Sequence, residues 1–145
     1  MTSREYLEQL RKSEKNIEKL TEQSERLIAA LGIRAINYDK DKVQTSPRDS
    51  MTDKMCELID LDSEIRKYRY EYEIKRNRIV KEIIQIEDWR YSDILYKRYV
   101  EFKRFEQIAM EMSYDYDWIR TLHSRALTNF AEVYGFDVTT HTNTD

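Results

Sequence analysis

The chain has 145 residues, 37% of them charged, with two glycines, one proline and a formal net charge of −3. This length suits one domain or a small domain with an extended arm, and the composition favours long helices over sheets or disorder. The single cysteine, Cys56, excludes an intrachain disulfide and offers no metal-ligand cluster. No apolar run has membrane-spanning length and the first residues lack a signal-peptide core, so we expect an intracellular protein without a membrane partner.

A coiled-coil helix is predicted over residues 3–31. With Ser3 at heptad position a, six of the nine seam positions are apolar or aromatic and the other three are serines. The remaining positions are mostly charged or amide side chains, as a solvated face requires. Gly32 predicts the C-terminal cap of this helix and the start of a connector at residues 32–46. The aliphatic seam residues predicted to form an oligomer contact are Leu10, Ile17, Leu20 and Leu27.

A second long helix is predicted over residues 47–88. Ser46 supplies an N-cap residue, and Pro47 suits the first helical position. A seven-residue apolar repeat keeps one stripe facing a partner and implies a left-handed supercoil. The partner is either the first helix folded back or another subunit, and the sequence leaves both open. Residues 1–88 form the predicted arm, through which we expect a homo-oligomer, such as a dimer. The stripe consists of Met51, Leu58, Ile65, Tyr72, Ile79 and Ile86.

Three shorter helices are predicted in residues 89–134, at 91–101, 105–112 and about 115–134. The last two have the spacing of a helix-turn-helix, because a small residue, Ala109, stands where two helices must cross closely. Ser113 stands at the turn, where glycine is preferred because a positive φ is costly for a residue with a side chain. The apolar residues predicted to share one core are Ile108, Met112, Tyr114, Ile119 and Leu122.

The stretch RYSDILYKRYVEFKRFEQIAMEMSYDYDWIRTLHSRALTNF, residues 90–130, resembles region four of bacterial sigma factors, a helix-turn-helix that reads promoter DNA. The likeness lies in the helix ending at Arg98-Tyr99, in FEQIAMEM and in Arg125-Ala126-Leu127. With VQTSPRDSM and the long charged helix before it, the chain further resembles phage regulators of the ArpU/RinA type. The resemblance implies a phage or prophage transcription regulator in the cytoplasm of a bacterial host, which activates late or packaging genes. Its implied partners are double-stranded DNA and RNA polymerase.

In that alignment the third helix enters the major groove with its N-terminal half. The side chains predicted to read bases there are Tyr116, Asp117, Arg120, Thr121 and Ser124. The cations predicted to contact backbone phosphates are Lys97, Arg98, Lys103, Arg104 and Arg125. Asp115 is explained as the N-cap of the helix, whose side chain satisfies free backbone N–H groups, and Asp117 as a first-turn acid that complements the helix dipole. Residues 89–134 hold seven basic and seven acidic side chains, so we expect weak binding by the module alone.

Two other functions compete with DNA reading. One is a phage assembly or packaging subunit, and the other is a coiled-coil interaction protein that does not read promoter DNA. No nucleophile-base pair or phosphate-cradling glycine loop is visible, so we expect no enzyme and no cofactor. His123 is expected to be partly packed or phosphate-facing, and His141 lies too far from it for a metal site. Residues 135–145 are predicted to form a disordered tail.

Overall fold

The computed structural model of the chain describes the backbone at residues 1–40 and 47–138, and side-chain surroundings at residues 1–32 and 50–138. The predicted all-α class is confirmed. Within the described residues there is no β-strand, and one isolated bridge joins Thr2 to Asp137. The helices are α1 (Ser3–Lys40), α2 (Pro47–Ile84), α3 (Trp89–Leu95), a π-helical segment (Tyr96–Val100), α4 (Phe105–Met112) and α5 (Tyr116–Tyr134).

The chain divides into two compact units. The terminal unit comprises Met1–Lys12 and Glu73–Asp145, and the arm unit comprises Ser13–Tyr72. The predicted boundary between arm and C-terminal module lay at residue 88. The terminal unit instead includes the start of α1 and the end of α2, because both contribute buried side chains to its core.

The predicted end of the first helix at residue 31 is wrong, because α1 continues through Gly32 to Lys40. Gly32 does not have the positive φ of a left-handed cap, and a helical glycine costs only about 1 kcal/mol relative to alanine. Pro47 opens α2 as predicted, while Ser46 lies outside the described residues. The second helix ends at Ile84 rather than at residue 88.

Asp88 accounts for the earlier end of α2, because it begins the next helix. Its backbone is extended, and its Oδ1 accepts a hydrogen bond from the backbone N of Arg90 at 3.0 Å. This cap and ion pair lower the pKa of Asp88, with the Arg90 side chain as the largest cause. The helix predicted over residues 91–101 also has other limits in the structure. The helix α3 starts at Trp89, and the chain changes to π-helical geometry at Tyr96.

In the arm unit, the heptad positions form the more buried face of each helix. They are the predicted seam on α1 and the predicted stripe on α2. Leu31 and Ile65 are 8% and 5% exposed, so side chains of the same chain cover them. The other heptad positions there are half-buried: Ser13, Ile17, Leu20, Ser24, Leu27, Met51, Leu58 and Tyr72. Apolar residues off the stripe are exposed: Ile28, Met55 and Ile59. Leu31 and Ile65 are the only buried side chains among the described residues of the arm unit, and their role in a coiled-coil contact stays a prediction.

The core of the terminal unit draws on every helix of the chain. Ring contacts join α1 to α5, since the Tyr6 ring centroid lies 6.0 Å from that of Phe130 and 4.7 Å from that of Phe136. The Tyr6 hydroxyl donates to Glu82 Oε1 at 2.7 Å. Fully buried aliphatic side chains fill the rest: Leu7, Leu10, Ile79, Ile83, Ile94, Leu95, Ile108, Ile119 and Leu122. The stripe residues Leu10, Ile79 and Ile86 thus belong to this core.

The predicted disordered tail does not begin at residue 135. Gly135 has a φ of 75° and ends α5 as a left-handed cap. Phe136 then packs in the aromatic cluster, with its ring 5.8 Å from that of Phe130. The backbone N of Asp137 donates to Met1 O at 3.3 Å. Residues 139–145 lie outside the described residues.

Candidate nucleic-acid interface

The turn between α4 and α5 has the geometry that the sequence predicts. Ser113 adopts the left-handed conformation, with a φ of 58° and a ψ of 43°. Its backbone N and that of Tyr114 donate to the carbonyls of Met110 and Ala109, at 3.4 and 3.0 Å. The serine carries a backbone cost of about 1–2 kcal/mol that glycine would avoid.

The contact between α4 and α5 buries the predicted core. Ile108, Ile119 and Leu122 are fully buried, and Ala109 is 8% exposed. Met112 and Tyr114 are half-buried at the edge. A larger side chain at Ala109 would separate the two helices, because well-packed cores resist added methylenes.

The two aspartates take their predicted positions at the start of α5. Asp115 occupies the N-cap position in extended geometry, and its carbonyl accepts from the backbone N of Ile119 at 3.0 Å. Its side chain makes no cap hydrogen bond, so that part of the prediction is wrong. Asp117 lies in the first turn, where a carboxylate is favourable near the positive end of the helix dipole.

The predicted base-reading residues lie together on one face of α5. All five are exposed: Tyr116, Asp117, Arg120, Thr121 and Ser124. Because successive residues of an α-helix are about 100° apart, these positions cover a sector of about 140°. The Arg120 guanidinium lies over the Tyr116 ring at 5.9 Å. The Thr121 hydroxyl donates to the carbonyl of Asp117 at 3.1 Å.

Two predicted phosphate contacts are engaged in an internal ion-pair network. Lys97 Nζ and Lys103 Nζ lie 3.3 and 2.6 Å from the same oxygen, Glu111 Oε1. Lys103 is also 3.0 Å from Glu101 Oε2. The hydrogen bond from Lys103 is the largest cause of the lowered pKa of Glu111. Two ammonium groups are thus balanced by two carboxylates.

The three predicted arginines differ in their surroundings. Arg98 stacks its guanidinium 4.1 Å from the Phe105 ring centroid and donates to the carbonyl of Lys103 at 3.1 Å. Arg125 lies over the Trp118 ring at 5.3 Å and is exposed. Arg104 is exposed and directly precedes α4. None of these contacts removes positive charge.

A buried Tyr99–His123 pair lies behind the exposed face of α5. The Tyr99 hydroxyl and His123 Nε2 are 2.7 Å apart, and His123 is 4% exposed. Burial first, and then the charges of Arg4 and Arg98, lower the pKa of His123 to about 3. The imidazole is therefore neutral and is hydrogen-bonded to the tyrosine hydroxyl through Nε2, with the donor set by its tautomer. Of the two alternatives predicted for His123, the packed one is closer, because its side chain is 4% exposed. The phosphate-facing alternative is wrong, because the ring is buried against Tyr99.

Folding stability should fall as the pH drops below the ordinary pKa of histidine. The unfolded chain binds a proton at His123 near pH 6.5, whereas the folded chain does so only near pH 3. We expect a loss of about 1.4 kcal/mol between about pH 7.5 and about pH 5.5. Urea unfolding at both pH values measures this loss in the free energy of unfolding. In His123→Gln, the free energy of unfolding should be the same at the two pH values. An equal loss in both proteins would contradict the assignment.

Comparisons with protein-family models, with curated proteins and with solved structures give no match for this chain. None of the described helices is both long and apolar enough to cross a membrane. Within the same residues, no group of three or more histidine, cysteine, aspartate or glutamate side chains is placed to hold a metal ion. The chain is an all-α protein in which α4 and α5 pack against each other across residues 113–115.

Proposed function

We propose that the chain is a phage or prophage transcription regulator that reads double-stranded DNA with a helix-turn-helix formed by α4 and α5. The observation that carries this proposal is the division of α5 into two faces. Ile119 and Leu122 are fully buried, whereas the five predicted base-reading side chains are exposed together. An exposed polar face at the N-terminal half of a packed helix suits insertion into a major groove.

The side chains on that face suit base edges. Arg120 has the planar guanidinium that pairs with O6 and N7 of guanine, and Ser124 and Thr121 suit several bases. Asp117 can accept from the exocyclic amine of cytosine. In this proposal the phosphate contacts position the module and the α5 face specifies the sequence.

Charge balance argues for binding as part of a larger assembly. The module at residues 89–134 has equal numbers of basic and acidic side chains, and counterion release supplies most of the sequence-independent affinity. Two modules joined in an oligomer gain effective concentration without new contacts. We propose that the arm supplies a dimer and that RNA polymerase is a further partner at late or packaging genes.

Replacing Arg120 with alanine should reduce the sequence preference, because one of the five proposed base-reading side chains is lost. Duplexes enriched from a random pool by the wild-type protein are compared with scrambled duplexes at several salt concentrations. Loss of a bidentate guanine contact costs about 1–3 kcal/mol, or roughly 5- to 150-fold in affinity for the enriched site.

Arg125→Ala is the matched control for Arg120→Ala. Arg125 is exposed on the same helix, about 140° around from Arg120. Its loss should weaken binding equally for all duplexes, as expected for a phosphate contact. Absence of wild-type binding to any duplex, even at low salt, would refute the proposed function.

The second candidate is a phage assembly or packaging subunit. It is favoured by exposed apolar residues beside the heptad stripe of the arm unit: Ile28, Met55 and Ile59. Large subunit contacts are built from such apolar side chains. Mass measurement in solution separates the two candidates, because a packaging subunit forms a ring of many copies and a regulator forms a dimer.

A further inference from the structure

The start of α1 packs directly on α5. The Ser3 hydroxyl donates to the carbonyl of Leu127 at 2.9 Å in a buried contact, and Leu7 is fully buried one turn later. Leu127 lies seven residues after Arg120, which is about two turns of helix. The exposed side chain of Arg4 therefore stands beside the helix that carries the base-reading face.

Arg4 and Arg98 approach the same part of α5 from two different elements. The Arg98 guanidinium lies 4.1 Å from the Phe105 ring centroid, and that ring lies 4.9 Å from the ring of His123. Arg4 directly follows Ser3, whose partner Leu127 lies one turn after His123 on α5. Both arginine charges also lower the pKa of His123, after burial as the largest cause. Arg4 and Arg98 thus lie beside the same part of α5, which begins about one turn after Arg120.

Neither arginine is neutralised by an ion pair within the part of the chain that the structure describes. The salt bridges there involve other cations, among them Lys97 and Lys103. Glu8 lies one turn after Arg4 on α1, but no ion pair joins the two side chains among the described residues. Neither guanidinium group is therefore held by a carboxylate on this side of α5.

We propose that Arg4 and Arg98 together bind a DNA backbone phosphate beside α5, a contact in which Lys97 and Lys103 take no part. This inference rests on the proposed function of α5. Guanidinium groups suit the site because each presents several N–H donors in a planar fork that matches phosphate oxygens. The start of α1 then supplies a cation to a module that has no excess of its own.

Arg4→Gln tests the contact in the full-length chain. Binding to a mixed-sequence duplex is measured at several salt concentrations. Loss of one phosphate contact should lower the slope of log affinity against log salt by about 0.9, and the affinity by about tenfold near 0.1 M salt. Arg4→Lys should keep the slope, because it keeps the charge.

Lys12→Gln is the control. Lys12 is exposed on α1 two turns beyond Arg4, and its substitution removes the same charge from the same helix. This variant should bind like the wild type. Thermal unfolding checks that Arg4→Gln is folded, which its exposed position favours.

The outcomes separate this inference from the proposed function. Wild-type binding together with unchanged affinity and slope in folded Arg4→Gln overturns the phosphate contact alone. An effect of Lys12→Gln as large as that of Arg4→Gln also overturns it, since the loss would then follow the net charge of α1 rather than a contact at Arg4. No wild-type binding at low salt overturns both, because no duplex is then bound by α5.

Discussion

Leu7→Ala is expected to destabilise the C-terminal helices by about 2–5 kcal/mol, although the substitution lies near the start of the chain. Leu7 is fully buried in the terminal unit, which joins Met1–Lys12 to Glu73–Asp145. Truncation removes apolar contacts and leaves a cavity that the surrounding helices fill only in part. The size of this loss measures how far the start of α1 belongs to the same folding unit as α5.

Urea unfolding followed by tryptophan fluorescence measures this effect. Both tryptophans, Trp89 and Trp118, lie in the terminal unit, so the signal reports on that unit. Leu20→Ala is the matched control, since Leu20 is half-buried in the arm unit. It should shift the fluorescence transition far less. Equal shifts in both variants would contradict the division into units.

Phe130→Ala is expected to cost about 3–5 kcal/mol, the range for a fully buried phenylalanine. Its ring lies 6.0, 4.7 and 5.8 Å from those of Tyr6, Tyr134 and Phe136. These rings come from the start of α1, the end of α5 and the residue after its cap. Such ring pairs contribute about 0.5–1.5 kcal/mol beyond the area that they bury.

Val133→Ala is the control for Phe130→Ala. Val133 lies on the same helix three residues later and is 55% exposed, so its truncation should change stability by no more than about 0.5 kcal/mol. Comparable losses in the two variants would mean that the aromatic cluster does not hold the start of α1 against α5. In the proposed complex with DNA, Phe130→Ala should also weaken the proposed phosphate contact of Arg4, because the Tyr6 ring that packs near Phe130 positions that part of α1.

The sequence predicts the last two helices closely, because their limits depend on local signals. The predicted helix at 105–112 matches α4, and the predicted start of the last helix at Asp115 is the N-cap of α5. The spacing of Ile108, Ile119 and Leu122 is also local, and all three are buried as predicted. The DNA-reading role of the opposite face stays a prediction.

Local sequence signals do not predict a helix end or a helix type that is determined by contacts with neighbouring elements. Gly32 has the residue type of a helix cap, yet α1 continues past it. The segment Tyr96–Val100 has no composition that distinguishes π-helical from α-helical geometry, and Tyr99 and Val100 within it are buried. The conformation of such a segment is selected by the contacts that it makes rather than by its own propensities.

For the cations of the candidate interface, too, part of the answer is local in sequence and part depends on the tertiary structure. By residue type and position alone, Lys97, Lys103 and Arg98 are equally suited to contact a backbone phosphate. The structure distinguishes them, because Glu111 pairs with both lysines, whereas Arg98 stacks on Phe105 without losing its charge. Arg4 lies outside residues 89–134, and only the packing of the start of α1 on α5 brings it beside that helix.

The sequence by itself determined the all-α class, the heptad stripe and the limits of α4 and α5. These features follow from spacing and residue type over one or two helical turns, where backbone sterics and side-chain periodicity act. Only the tertiary structure decided that the start of α1 packs on α5, that His123 is buried against Tyr99, and which cations are paired. Those outcomes depend on groups far apart in the chain, whose separation no local pattern records.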